Sequence, residues 1–398
     1  MKTTEHSKTG YFVLEGLNAF ASSFFFVSLM FLLHVEHHFS DLQKLLWGAI
    51  HGLLYIPSSW YGGRFAQRYG YIAALWVGFG GMLGGVSLCW VWPSFTGHFI
   101  GFVIWTVAVC FTWAPLEALV SERETPHALA NRVGMYNVVW SLAGAAGGFL
   151  SRWVFEAAGP SSLYWVPIGF YALQLAMLPP LKRRHDLAMA AIGPWVPTPE
   201  DPEGTSSDSL TGGQPRPRYF LRLAYVANPF AYMAINTVMV VAPTITQQVG
   251  LPAATGAMWA STWLWSRTLG FLLLWKWHGW HYRFNWFIGA FLALVGGFVG
   301  IMLSHALWQF IVVQCLFGAG SALIYYSSLF YSMDGSDAHG EHGGIHEALL
   351  GAGICGGPAI SALSLWLLPQ HATGPAWAVS GFLGVGMAGV FYIRNRAN

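Results

Sequence analysis

The sequence predicts an all-α membrane protein, with twelve transmembrane helices in two six-helix bundles. Three observations carry that expectation. The 398-residue chain is 55% hydrophobic and 9% charged, against about 25% charged residues in a soluble domain. Apolar runs of about 20 residues, the length of one bilayer crossing, recur from Tyr11 onward. A single long polar stretch, residues 181–218, splits these runs into two sets of six. The charge deficit matters more than the net charge of +2, because so little polar surface cannot clothe a fold in water.

Helices are expected near 11–34, 42–61, 71–92, 96–119, 130–155 and 162–180. A second set is expected near 219–247, 255–275, 284–304, 306–332, 346–368 and 373–393. Residues 1–10 are polar, and the run that follows is too long and too polar at its start for a cleaved leader, so it reads as a retained membrane helix. The second helix ends at the basic, glycine-punctuated link Tyr61–Gly70 before the third begins. Pro57, Pro115, Pro167, Pro243 and Pro358 fall inside or near the ends of runs, where a helix bundle tolerates them as bends. Residues 181–218 begin Lys182-Arg183-Arg184 and continue rich in Pro, Ser, Glu and Gly, a composition that builds no core. They read as a cytoplasmic linker, with a short surface helix at 186–193. The domains are therefore 1–180, an N-terminal bundle, 181–218, the linker, and 219–398, a C-terminal bundle.

Basic residues set the orientation. With the N-terminus inside, Lys2, Lys8, Arg64, Arg68, Arg123, Arg132, Lys182, Arg183, Arg184, Arg216, Arg218, Arg222, Lys276, Arg283, Arg394 and Arg396 all face inward, 16 of the 19 Lys and Arg. Lys44 and Arg152 fall outside and Arg267 in mid-helix. Both termini are thus expected in the cytoplasm of a cell bounded by a plasma or bacterial inner membrane. The halves also echo one another. Asn131–Tyr136 followed by the small residues of 141–148 in the fifth helix parallels Gly344–Leu349 followed by Gly351–Pro358 in the eleventh. Matched halves are a mark of repeat-built transporters, although glycine-rich helices also resemble one another by composition alone.

The link Gly62-Gly63-Arg64-Phe65-Ala66-Gln67-Arg68-Tyr69-Gly70 resembles the signature between the second and third helices of the major facilitator superfamily of secondary transporters. The twelve-helix plan is similar to that family across essentially the whole chain. Gly63 and Gly70 stand as its small residues, Arg68 matches its arginine, and Gln67 occupies its acidic position. The resemblance implies a gate at Gly63, Arg64, Gln67, Arg68 and Gly70, here held by hydrogen bonds and the Arg68 contact because the acid is missing. Three departures stand out. Helix four has no arginine, helix five lacks the Gly-Pro pair of the family's antiporters, and Lys276–Arg283 is only a degenerate second gate. Glu117, Arg123 and Arg132 near inner helix ends are expected to add gate contacts, as are Glu122, Glu124, Asp334 and Glu347.

Candidate solute and coupling residues are polar groups too costly to face lipid. Glu15, Asn18 and Ser22 form one stripe on the first helix. Glu15 reads as a proton-coupling acid or as a carboxylate that caps or pairs at the cytoplasmic end. Arg267 sits about two residues past the middle of the eighth helix, where a charge costs at least ~2.5 kcal/mol. It reads as a site for an anionic group, as a counter-charge to Glu15, or as half of a fixed ion pair. Tyr225, Asn228, Tyr232 and Asn236 line one face of helix seven. Gln314, Ser321, Tyr325 and Ser328 line one face of helix ten, and helix five adds Tyr136 and Asn137. His51, in mid-helix, is either a titrating group or a satisfied donor. Trp113, Trp140, Trp259 and Trp263 are candidates to stack on a solute, whereas most of the 21 Trp are interface or packing groups.

The four cysteines lie scattered in apolar runs and imply neither disulfide nor metal. The histidine clusters at His34–Asp41 and His339–His346 lack a recognised ligand pattern, so no metal or other cofactor is expected. No phosphate loop or basic aromatic groove points to ATP or nucleic acid. No nucleophile–base spacing points to an enzyme. The expected function is secondary transport of a small organic solute, proton-coupled, with export favoured by the aromatic lining. Its expected partners are that solute, the proton and membrane lipids, and the chain is expected to act as a monomer. Proton-driven or facilitative uptake of a small polar or anionic solute is the alternative. A non-transporting receptor is a third reading.

Overall fold

A computed structural model describes residues 2–122, 124, 126–192, 216–334 and 339–397. Among them the chain forms fourteen helices, and their order follows the apolar runs. The first half holds α1 (Lys2–Val35), α2 (Asp41–Tyr69), α3 (Tyr71–Val91), α4 (Phe95–Val109), α5 (Trp113–Ser121), α6 (Pro126–Ala158) and α7 (Ser162–Ile192). The second holds α8 (Arg216–Gln248), α9 (Ala253–Ala260), α10 (Thr262–Lys276), α11 (Phe284–Met302), α12 (Leu307–Asp334), α13 (His339–Leu367) and α14 (Gly374–Ala397).

Local chemistry sets several boundaries. Ser40 caps α2 in a reciprocal box: its hydroxyl accepts from the Gln43 N–H, and its own N–H donates to Gln43 Oε1 at 2.9 Å. Ser94 caps α4 by accepting from the Gly97 N–H at 3.2 Å. The expected link Tyr61–Gly70 is mostly helical. α2 continues to Tyr69, and the reversal into α3 is made at Gly70 with φ 95°, a conformation that favours glycine. α7 continues through Lys182–Arg184 to Ile192, so the helix expected at 186–193 is the end of a longer one. The rest of the expected linker, residues 193–215, lies outside the described residues.

Two expected helices are broken. The run at 96–119 divides into α4 and α5 around Cys110–Thr112, and the run at 255–275 divides into α9 and α10 at Ser261. Nine spans among the described residues, α4–α5 counted together, are long and apolar enough to cross a membrane. α2, α7 and the α9–α10 pair do not meet that standard. α2 carries Asp41, Lys44, Arg64 and Arg68, α7 ends in a basic segment, and α9 and α10 are 8 and 15 residues long.

The packing brings the two chain halves together most extensively where α2 meets α13, and again where α6 meets α10. Gly52 makes the first approach possible, because a Cβ there would lie 2.1 Å from the Cys355 nitrogen. α3 and α7 pack on helices of the first half, and α11 and α14 on helices of the second. The apolar core runs continuously through both halves.

Candidate functional site

At the centre lies a cavity of about 210 Å³. It is walled by α1, α2, α4, α5, α6, α8, α10, α12 and α13. Helical spacing explains which side chains reach it. Tyr136, Trp140 and Gly144 recur every four residues on α6, and Glu347, Leu350 and Ile354 follow i, i+3, i+7 on α13. Trp113 and Glu117 on α5, and Trp263 and Arg267 on α10, are i, i+4 pairs presented one turn after the two breaks.

The breaks are held open by side chains that take over backbone partners. In an unbroken helix the Trp263 N–H would donate to the Trp259 carbonyl. Here Gln314 inserts: its Oε1 accepts from that N–H at 3.4 Å and its Nε2 donates to that carbonyl at 3.1 Å. At the other break, Thr112 Oγ1 donates to the Val109 carbonyl at 2.7 Å and accepts from Asn18 Nδ2 at 3.1 Å. Gln314 and Asn18, read from the sequence as solute ligands, thus brace the broken helices and are absent from the cavity wall.

Arg267 is 7% exposed and faces the cavity. Its guanidinium carbon lies 4.6 Å from the ring centre of Trp140 and 4.7 Å from that of Trp263. Among the described residues it makes no hydrogen bond or ion pair, and its Nε is buried without an acceptor. Asn137 Oδ1 accepts from Trp140 Nε1 at 3.0 Å, so Asn137 orients one of these indoles from outside the cavity. Tyr325 packs edge-on to Trp140 at 5.2 Å, with Tyr232 beyond it at 6.1 Å. Asn236 lies on the wall and donates back to the Tyr232 carbonyl at 3.0 Å.

Three carboxyls gather on another side. Glu15 is fully buried behind the wall. Tyr136 faces it from α6, yet the geometry leaves both Glu15 oxygens without a hydrogen bond among the described residues. Glu117 and Glu347 line the cavity, and Glu347 accepts from the Tyr55 hydroxyl. Glu117, expected at the gate, therefore sits with Glu347 at the cavity. Arg132 instead reaches Glu124, Nε to Oε1 at 3.0 Å, where Lys8 also binds. Arg123 lies outside the described residues.

His51 lines the cavity with Nδ1 2.9 Å from Thr106 Oγ1. His346 Nδ1 lies 3.1 Å from Ser328 Oγ, which accepts from Asn228 Nδ2 at 3.2 Å, so the polar faces of α8 and α12 meet behind the cavity. In the gate segment Gly63 is buried and Gln67 exposed. Arg64 lies over Trp60 at 4.0 Å and Arg68 over Tyr69 at 5.4 Å. Among the described residues no group of three His, Cys, Asp or Glu is placed to hold a metal ion.

Of the expected solute residues, the structure brings His51, Tyr136, Tyr232, Asn236, Arg267 and Tyr325 to one cavity and leaves Glu15, Asn18, Asn137 and Gln314 outside its wall. It adds Tyr55 and Trp105, which sequence reasoning missed. Tyr55 had a readable signal, lying one helical turn after His51.

The sequence matches the Major Facilitator Superfamily over residues 11–358. No match is found among curated proteins. The human organic anion transporter MFSD10 (TETRAN) is 14% identical and superposes with a TM-score of 0.66, covering 98% of this chain and 99% of its own. The nucleoside transporter NupG, 13% identical, gives 0.67 over 98% and 99%. A structure from work on proton dependent oligopeptide transporters, 14% identical, gives 0.70 over 99% and 100%. The extent of the family match places this chain in the Major Facilitator Superfamily, a family of transporters and not of enzymes.

Proposed function

We propose that this protein is a proton-coupled secondary transporter that exports a small organic solute with an anionic group and an aromatic or apolar body. The carrying observation is Arg267, a buried guanidinium at a central cavity between two indoles with no carboxylate paired to it among the described residues. Placing a charge at that depth costs ~2.5 kcal/mol or more. Each indole returns roughly 0.5–2 kcal/mol, so the charge is tolerated while its donors stay free. An oxyanion on a solute would complete them with charge-assisted bonds. Trp113, Trp140 and Trp263 supply flat apolar surface for the rest of the solute.

In this reading α4–α5 and α9–α10 each make one crossing, giving twelve crossings in two six-helix halves, 1–180 and 219–398, joined by 181–218. The inward bias of basic residues supports cytoplasmic termini. The halves rock about the cavity, and the segment from Gly63 to Gly70 closes the inner side in one state. Glu15, grouped with Glu117 and Glu347 away from any base, carries the coupling proton. Proton-driven uptake uses the same parts in reverse.

The test is transport of organic anions by protein reconstituted in vesicles, with and without a pH gradient. Arg267→Ala is expected to abolish transport while the protein still elutes as a folded species. Transport that ignores the pH gradient would remove the coupling. Normal transport by folded Arg267→Ala would remove the solute site. No transport or solute-dependent change in labelling of either face would favour a receptor.

A further inference from the structure

We propose that the cavity accepts amphoteric solutes, which carry an acidic and a basic group at opposite ends of an apolar body. The proposal rests on the reading of Arg267 as the anion site and assigns the opposite pole. The cavity holds uncompensated groups of both kinds. Arg267 is the only Lys or Arg among the residues that line it, and no carboxylate pairs with it among the described residues. Glu117 and Glu347 line it as well, and among the described residues no base pairs with either.

Glu117 is the more available of the two acids. It is 4% exposed, and its carboxyl makes no hydrogen bond or ion pair among the described residues. Its electrostatic neighbours are Glu347 and Glu15, two further acids. Glu347 already accepts from the Tyr55 hydroxyl. Tyr232 and Tyr325 line the same cavity, and both lie within electrostatic reach of Arg267 and of Glu117 and Glu347. The wall is apolar at Val109, Ile235 and Leu350.

A solute that is only anionic would satisfy Arg267 and leave Glu117 without a donor. A solute that is only cationic would leave Arg267 without an acceptor. An amine and a carboxylate on one apolar body answer both, each through a charge-assisted hydrogen bond.

The test is binding at pH 7 to the purified full-length protein, by calorimetry, of trios that share one body. 4-(Aminomethyl)benzoate, 4-methylbenzoate and benzylamine form one trio; 6-aminohexanoate with hexanoate and hexylamine, and 8-aminooctanoate with octanoate and octylamine, form two more. The amphoteric member of at least one trio is expected to bind about 10-fold tighter than either relative. Glu117→Gln should cut its preference over the carboxylate-only relative to under about 2-fold. Arg267→Gln should do the same to its preference over the amine-only relative. Glu347→Gln provides a second acid variant if Glu117→Gln fails to fold. The proposal is overturned if the carboxylate-only member binds as tightly as the amphoteric one. It is also overturned if both acid variants keep the preference, or if no amphoteric member outbinds its relatives, silence included. The underlying reading fails separately, if folded Arg267→Gln holds the carboxylate-only member as well as the wild type does.

Discussion

At the residue scale, a buried cation is kept by ring faces instead of by a counter-ion, and this makes its performance depend on how the rings are held. Trp140 is oriented by Asn137 Oδ1 through a single hydrogen bond of 3.0 Å. Removing that bond forfeits about 1 kcal/mol, so Asn137→Ala is expected to weaken solute binding about 5-fold while leaving the protein folded. Titration of wild type and variant with the same solute checks this, and an unchanged affinity would show that packing alone orients the indole. Arg267 was legible in the sequence because a charge within an apolar run is costly wherever it points. Asn18 and Gln314, singled out for a related reason, stand at the helix breaks and not on the cavity wall. A buried amide is equally costly, but the backbone of a broken helix satisfies it as well as a solute does; Pro115 signals a bend beside the break at Cys110–Thr112, whereas nothing in the sequence marks the one at Ser261. Glu117 and Glu347 were placed at helix ends because the expected spans ended near 119 and began near 346, whereas α13 starts at His339 and both acids line the cavity.

At the element scale, the α2–α13 contact depends on glycine. Gly52 faces the backbone of Cys355, with a Cβ position 2.1 Å from its nitrogen and 2.4 Å from its Cα. Backbone cannot rotate aside, so Gly52→Val is expected to separate the two helices at a cost of about 1–3 kcal/mol. The half-buried Cys355 thiol should then react faster with a maleimide, measured in a Cys315→Ser background because Cys315 is exposed. An unaltered rate would mean that the helices do not part there. A second element-level contact lies where α1, α6 and the α5–α6 connection converge. Glu124 binds both Lys8 and Arg132. Partial burial pushes its carboxyl upward, but the hydrogen bonds and charges of Lys8 and Arg132 outweigh that and hold it below the ordinary glutamate range. A depressed folded value means the bridge contributes fully above the ordinary range and is lost as pH falls through the lowered one. Glu124→Gln is expected to lower stability at pH 7 by roughly 1 kcal/mol or less, as partly exposed pairs do. The gap to wild type should close only in strongly acidic buffer, which melting curves from pH 7 down to 3 would follow. The apolar period located most of these helices. It could not show that the Tyr61–Gly70 link is helical to Tyr69, because basic residues at a membrane surface read alike in a loop and in the last turns of a helix.

At the scale of the whole molecule, contacts between the two chain halves stand at opposite ends of α1, a helix of 34 residues and so roughly 50 Å long. At its start, Trp275 Nε1 of α10 donates to Asn131 Oδ1 of α6 at 2.9 Å. At its end, fully buried Lys44 of α2 donates to Thr244 Oγ1 of α8 at 2.7 Å, lies 2.8 Å from Asp41 Oδ1 and 3.3 Å from His34 Nδ1. Alternating access requires that one such set open while the other holds. The Lys44 set is the stronger, because it joins charge to hydrogen bonding in a buried place. Lys44→Met keeps the stem's packing but removes the ammonium and its bond to Thr244, leaving the partly exposed Asp41 with the donation from the Thr244 hydroxyl and with water. Losing about 1–2 kcal/mol from this end should raise the population open there roughly 5- to 30-fold. Ser22, on the cavity wall, offers the readout: in Ser22→Cys, a membrane-impermeant thiol reagent applied from the side of Lys44 should label faster once Lys44→Met is added. Disrupting the other end with Asn131→Leu should slow the same labelling, since it favours the opposite opening. If both changes accelerated labelling, the two contacts would be general packing and not alternating closures.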